Sequence, residues 1–111
     1  MDISTTRYNR CDVIKPVGRV DAYTAPALEE VLAKVTDEKR FNIVLDLSDV
    51  DFLSSRGLWV LTEVQKRCRR YNRGELVLAD VKNEIRDTLN LAGLDGYFKF
   101  YDDVAAAVGS F

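Results

Sequence analysis

Two adjacent serines, Ser54 and Ser55, are the side chains of this sequence that are best placed for chemistry. They directly precede a segment from Arg56 to about Tyr71 whose apolar spacing predicts a helix. The free N–H groups and the dipole at the start of a helix attract negative charge. Serine is also a preferred helix cap, and the local sequence by itself favours that ordinary structural role.

A serine nucleophile is a second chemistry to consider, but the surrounding residues do not support it. The Gly-x-Ser-x-Gly elbow is absent around Ser55, and a chain without histidine lacks the ordinary base for a serine hydroxyl. No motif supports a pair of carboxylates acting as acid and base, and no glycine-rich loop or Walker-type lysine indicates a nucleotide. We therefore predict a protein that is not an enzyme and that uses no cofactor.

The charge distribution disfavours nucleic acid as a partner. The formal net charge is −2, with 16 basic residues spread among 18 acidic ones, whereas binding to phosphates along a nucleic acid needs a basic face. The densest basic run, from Lys66 to Arg73, is interpreted as the solvated end of a helix and is given no function.

The cysteines and the apolar segments give expectations about metals and location. Cys11 and Cys68 are too few and too far apart for a disulfide framework, and without histidine they do not suggest a zinc site. We expect both to be reduced and buried. No apolar stretch approaches the roughly 20 residues of a membrane span, and the N-terminus lacks the features of a signal peptide. The expectation is a cytoplasmic protein that binds neither a metal nor a membrane.

Hydrophobic periodicity predicts strands alternating with helices along one domain of residues 1–111. The predicted strands are Ile3 to Tyr8, Cys11 to Val17, Ile43 to Leu47, Leu76 to Ala79 and Tyr97 to Tyr101. The predicted helices are one capped by Thr24 and running to about Thr36, Arg56 to about Tyr71, one capped by Asn83, and one opened by Asp102 and Asp103. A loop is predicted through Phe52 and Leu53. The fold class is α/β, a mixed sheet of about five strands with about four helices, in which the first strand is antiparallel and the remainder largely parallel.

Loops at the carboxyl ends of parallel strands converge in such folds, and ligands bind there. Residues 18–24 and 48–55 should be neighbours, which brings Asp21 towards Ser55. Asp21 alone fits a turn residue that accepts hydrogen bonds from the local backbone. Trp59 projects from the polar face of the second helix, either as an interface anchor or as a ring packed on a loop.

Several blocks occur along the chain in order: Gly18-Arg19-Val20-Asp21 with Thr24-Ala25, Asp46-Leu47-Ser48, Phe52-Leu53-Ser54-Ser55-Arg56-Gly57-Leu58, and Leu89-Asn90-Leu91-Ala92-Gly93-Leu94. Together they closely resemble the anti-sigma factor antagonists of the STAS domain family, over essentially the whole chain. The resemblance implies a partner-switching protein that binds an anti-sigma factor, itself a serine kinase, and so frees a sigma factor. Phosphorylation by that kinase then dissolves the complex, and a phosphatase is expected to reset the switch.

The resemblance also implies roles for individual residues. Ser55 corresponds to the phosphoacceptor, with Ser54 as the alternative acceptor, and Asp21 corresponds to an acidic residue of the partner surface. The family often has aspartate and a small residue where this chain has Ser54 and Arg56. The predicted partner-binding residues are Asp21, Thr24, Ser54, Ser55, Arg56 and Trp59. An alternative within the same fold is a sensory or nucleotide-binding regulatory module that does not control a sigma factor.

Overall fold

Six strands and four α-helices make up the computed structural model, which describes all residues from Met1 to Phe111. The strands are β1 (Asp2–Arg7), β2 (Asp12–Val20), β3 (Asn42–Asp46), β4 (Val50–Leu53), β5 (Glu75–Ala79) and β6 (Lys99–Tyr101). The helices are α1 (Ala25–Asp37), α2 (Ser55–Arg69), α3 (Asn83–Leu91) and α4 (Val104–Gly109). None of these helices combines the length and the apolar character that crossing a bilayer requires.

The strands form one mixed sheet in the order β1-β2-β3-β5-β6, with β4 attached to β2 beyond the end of β3. The β1 and β2 strands pair antiparallel, from Asp2 opposite Val17 to Arg7 opposite Asp12, and every other pairing is parallel. The predicted fold class is therefore confirmed, including the antiparallel first strand. Both β3 and β5 are almost completely buried, which is why their sequences read as continuous apolar runs.

The β4 strand corrects the prediction of a loop through Phe52 and Leu53. It has only four residues and finds its partner in the second half of β2, where Val20 lies opposite Leu53. The β2 strand reaches this second partner by a bulge between Gly18 and Arg19, and Gly18 has a φ of 109°, which favours glycine. Pro16, which cannot donate a ladder hydrogen bond, lies in the gap between the residues that pair with β3 and those that pair with β4.

Two apolar cores lie on the two faces of the sheet. Twenty buried residues form the larger core, which α1, α2 and α3 cover through pairs such as Leu28 and Leu32, Val60 and Leu61, and Ile85 and Leu89. Six buried residues, including Cys11 and Ala107, form the smaller core beneath α4. Cys11 and Cys68 are buried free thiols, as the sequence predicted.

Several predicted helix and strand ends change by one or two residues. The second helix begins at Ser55 and ends at Arg69, and the last strand begins at Lys99 because Tyr97 belongs to a short 3-10 turn. Asn83 does not cap α3 but is its first residue, after Lys82. Asp103 does cap α4, since its carboxylate accepts a hydrogen bond from the Ala106 N–H at 2.7 Å.

Candidate functional site

The start of α2 is fixed against the carboxyl end of β2. Val20 and Leu53 are paired across the parallel strands, so the residues that follow them, Asp21 and Ser54, leave the sheet side by side. The Ser54 N–H donates a hydrogen bond of 2.8 Å to the Val20 carbonyl, which extends this pairing by one step. The predicted neighbourhood of the two loops is therefore a consequence of strand pairing.

Ser54 is the N-cap of α2. Its backbone is extended, with φ −79° and ψ 173°, and its hydroxyl oxygen accepts a hydrogen bond of 3.3 Å from the Gly57 N–H. Its carbonyl accepts the first intrahelical bond, from the Leu58 N–H at 2.9 Å. This side chain is half-buried and has the structural role that the local sequence favoured.

Ser55 is the first residue of α2, and its environment differs from that of Ser54. The residue is exposed, and its hydroxyl makes no hydrogen bond to another protein group. The N–H groups of the first helical turn lie next to it and carry the positive end of the helix dipole. Ser55 thus combines an accessible hydroxyl with a local field that favours an anion.

Asp21 organises the turn that leads into α1. Its Oδ1 accepts hydrogen bonds from the backbone N–H groups of Thr24 and Tyr23, at 3.1 and 2.9 Å. Thr24 does not cap α1 with its side chain; its hydroxyl donates instead to the Arg19 carbonyl at 2.6 Å. The backbone hydrogen bonds from Thr24 and then Tyr23 hold the pKa of Asp21 below its usual value. Oδ2 is outside these bonds and lies 4.0 Å from Nε of Arg19.

Two arginines stack on aromatic rings at this end of the molecule. The Arg56 guanidinium lies 4.6 Å from the centroid of the Trp59 ring, and that of Arg19 lies 4.2 Å from the Phe52 ring. Trp59 is 45% exposed, so its ring is partly covered by the protein and is not buried under a loop. In each stack the positive guanidinium lies against the face of an aromatic ring, which is an attractive contact.

Two exposed aromatic residues at this end of the molecule, Phe52 and Tyr23, were not predicted from the sequence. Phe52 was assigned to a loop, and only its place in β4 directs it outward beside Arg19. Tyr23, at the tip of the Asp21 turn, is 94% exposed. The sequence does contain a signal for Tyr23, because it is an aromatic residue in a polar turn between a strand and a helix. Tyrosine is enriched at the centres of protein interfaces.

The carboxylates near the site are less free than the sequence suggested. Asp49 forms an ion pair with Lys15 at 3.2 Å, and this hydrogen-bonded contact raises the pKa of Lys15 above its usual value. Asp46 is buried and accepts a hydrogen bond from the Ser48 N–H at 3.0 Å, which is a structural role. Asp51, in β4, is exposed and makes no ion pair, so it is an uncompensated negative charge four residues before Ser55.

Comparison with known proteins agrees with this geometry. A family model described as the STAS domain matches residues 2–107. The chain belongs to the STAS domain family. A candidate anti-sigma factor antagonist, BtrV of Bordetella bronchiseptica, is 35% identical over 94 residues, which are 85% of this chain and 80% of that protein. The anti-sigma-B factor antagonist of Staphylococcus aureus is 30% identical over 94 residues, 85% of this chain and 86% of that protein.

A solved structure shares the architecture of this chain at low sequence identity. The Bacillus cell fate determinant SpoIIAA in its phosphorylated form superposes with a TM-score of 0.78 and 14% identity, over 98% of each chain. STAS anti-sigma factor antagonists are regulatory proteins without enzymatic activity, in agreement with the prediction that this chain is not an enzyme.

Proposed function

We propose that this protein is an anti-sigma factor antagonist that exchanges partners according to the phosphorylation of Ser55. Unphosphorylated, it binds an anti-sigma factor and thereby releases a sigma factor. The anti-sigma factor is also the serine kinase that phosphorylates it, and a phosphatase restores the binding form. The switch operates in the cytoplasm, where ATP and sigma factors are present.

The observation that carries this proposal is the contrast between the two serine hydroxyls. Ser54 already uses its oxygen to cap α2 by bonding the Gly57 N–H, whereas the Ser55 hydroxyl is exposed and makes no protein hydrogen bond. A kinase must reach an oxygen that is free to attack the γ-phosphate in line. This requirement favours Ser55 over Ser54 as the acceptor.

The protein itself should tolerate the phosphate. A phosphoserine carries about −1.5 to −2 charges at neutral pH, and a helix N-terminus stabilises a nearby anion by typically 0.3–1 kcal/mol. Arg56, the next residue, offers a further counter-charge, although reaching the phosphate would compete with its stack on Trp59. The fold should therefore keep its packing when Ser55 is modified.

A docked partner would not tolerate the same charge. Asp21 lies beside the start of α2, and Asp51 adds an uncompensated carboxylate in the preceding strand β4, so a phosphate would concentrate negative charge in the interface. Like charges brought together under desolvation cost several kcal/mol. Asp49 is paired with Lys15 at 3.2 Å and Asp21 lies 4.0 Å from Arg19, so Asp51 is the carboxylate of this group that no cation compensates.

One solved structure and one curated relative support the proposal. SpoIIAA exists in a phosphorylated form with this fold, and the Staphylococcus aureus relative is named as an antagonist of the anti-sigma-B factor. The proposed contact surface comprises Asp21, Thr24, Ser54, Ser55, Arg56 and Trp59.

The test is incubation with candidate anti-sigma factor kinases and ATP, followed by mass mapping of the phosphate and affinity measurement. Ser55→Ala should abolish labelling and keep partner binding, and Ser55→Asp should weaken binding. Ser54→Ala, which removes the neighbouring hydroxyl, is the matched control and should still be labelled. Full labelling of the Ser55→Ala variant would show that Ser55 is not the acceptor. Equal affinity of phosphorylated and unphosphorylated protein for the same anti-sigma factor would refute the switch itself.

A further inference from the structure

An open depression of about 270 Å³ lies between the last turns of α1 and α2. It is at the amino ends of β3 and β5, which is the end of the sheet opposite to Ser55. Cations dominate its lining, which is made by Thr36, Asp37, Lys39, Phe41, Arg67, Arg70 and Arg73. Four positive side chains thus face one carboxylate in a protein whose overall net charge is −2.

None of these four cations forms a salt bridge. Of the twelve basic residues outside the depression, five also lack an ion pair, and seven pair with carboxylates within 4.0 Å: Arg7, Lys15, Arg19, Arg40, Lys66, Arg69 and Lys99. What distinguishes the depression is that four unpaired cations line one small volume. Asp37, the single acid of the lining, is not paired either. Gathering unpaired like charges is unfavourable in the absence of an anion, because each raises the potential at its neighbours.

Capping of the helix end does not account for the cluster. Arg73 donates to two carbonyls at this helix end, from its Nε to Arg70, just after α2, at 3.0 Å and from its Nη2 to Arg67 at 3.4 Å. The same guanidinium lies 3.9 Å from the Phe41 ring centroid, so it is held in place from two sides. The side chains of Arg67 and Arg70 are not required for that role.

Lys39 adds a second indication. It has a φ of 64°, in the left-handed region where glycine or asparagine usually ends a helix. The sequence nevertheless has a long cation at this position, which directs a fourth positive charge to the rim of the depression.

We propose that this depression binds a polyvalent phosphate anion, the pyrophosphate or phosphate-ester group of a small molecule. Planar guanidinium forks match pairs of phosphate oxygens, and Arg67 and Arg70 offer two of them around one small volume. Arg73, whose Nε and Nη2 already donate to carbonyls, adds its positive charge. Phe41, on whose ring Arg73 stacks, is the one hydrophobic residue of the lining. This site is separate from the proposed docking surface and does not depend on it.

The experiment is an NMR titration of the ¹⁵N-labelled full chain with inorganic pyrophosphate at constant low ionic strength. Saturable shifts are expected at residues 36–41 and 67–73 and not at Asp21 or Ser55. The double variant Arg67→Gln, Arg70→Gln should bind roughly tenfold or more weakly. Lys34→Gln, Lys66→Gln removes two cations from the same two helices outside the depression, and its affinity should equal that of the unmodified sequence.

Lys39→Gly gives a second measurement with a variant that should not disturb folding, because glycine readily adopts the positive φ at this position. It should fold normally and bind pyrophosphate more weakly. Three results would each overturn the proposal: no saturable shift, equal weakening by the control double variant, or binding of sulfate as tight as that of pyrophosphate. The last two would reduce the effect to general attraction of anions by a basic surface.

Discussion

Gly57 lies directly against Val20: a Cβ built on Gly57 would come 2.8 Å from Cγ1 of Val20 and 2.7 Å from Cδ1 of Leu53. These two side chains close the paired ends of β2 and β4. The first turn of α2 therefore sits on the sheet with no room for a methyl group. This contact, together with the hydrogen bond from Ser54 to Val20, sets the distance between the Asp21 turn and the Ser55 hydroxyl.

Replacing Gly57 with alanine should push the start of α2 away from the sheet. Overpacking of this kind typically lowers the free energy of unfolding by 1–3 kcal/mol, and the displacement should also weaken partner binding. Gly109→Ala is the control, because a Cβ there meets no atom within 4 Å and the residue ends a helix. Urea denaturation checks both variants, and equal stability of Gly57→Ala and the unmodified sequence would contradict the close contact.

Removal of the two serine hydroxyls should affect stability differently. Ser54→Ala deletes the cap on the Gly57 N–H and should lower the free energy of unfolding by about 1 kcal/mol. Ser55→Ala removes a hydroxyl without a protein partner and should change it by less than about 0.5 kcal/mol. Thermal or urea unfolding of both variants measures this contrast. The reverse order would mean that Ser55 is the capping residue.

Much of the fold follows from short-range sequence patterns. The apolar runs of β3 and β5 and the apolar stripe of α2 predicted their elements because burial follows from the residues themselves. The four residues of β4 carry no such signal: Asp51 and Phe52 point outward, and the strand exists only because β2 bulges at Gly18 to meet it. A pairing that depends on distant residues cannot be deduced from the local pattern.

The sequence predicted which residues of the site lie close together, but not which hydrogen bonds they make. Parallel strand ends bring Asp21 near the two serines, and the residue types indicated an anion at a helix start. Ser54 is the helix cap because its backbone is extended. The sequence does not show this, because two serines have the same intrinsic preference for a cap position. Asp21 shows a similar limit, because it is both the turn residue that the local sequence favoured and a member of the proposed partner surface.

The pKa of Asp21 should make a predictable contribution to acid stability. Hydrogen bonds from Thr24 and Tyr23 lower its folded-state pKa below the usual 3.8, so the carboxylate form is favoured in the folded protein. Its stabilising effect is fully present above pH 3.8 and is lost as the pH falls through the lower, folded-state pKa. Asp21→Asn keeps an acceptor oxygen but cannot titrate. Unmodified protein should be more stable than this variant at neutral pH, and the difference should vanish in strong acid.

Direct titration provides the control for that comparison. Carboxyl ¹³C chemical shifts of Asp21 should report a midpoint below 3.8, whereas a midpoint at or above this value would contradict the observed hydrogen bonding.

The thiol of Cys68 should be inert in the folded protein. Burial raises its pKa from 9.0 to about 12, so almost no thiolate exists at mildly alkaline pH. An aromatic disulfide reagent should therefore label Cys68 only after unfolding in concentrated guanidinium chloride. The unfolded thiol ionises first, so this group lowers the free energy of unfolding as the pH rises from 9.0 towards 12. Rapid labelling of native protein at Cys68 would show that α2 opens readily.

Trp59 should contribute to partner binding. Its ring is 45% exposed and is held by Arg56 at 4.6 Å, which limits the entropy lost when a partner covers it. Trp59→Ala should weaken binding of the anti-sigma factor by about tenfold or more, because a central interface tryptophan commonly contributes over 1.4 kcal/mol. Tyr71→Ala is the matched control: this aromatic is 85% exposed at the opposite end of the sheet, and its loss should leave the affinity unchanged. Affinity measured by calorimetry for both variants decides the matter, and equal effects of the two substitutions would place the docking surface elsewhere on the molecule.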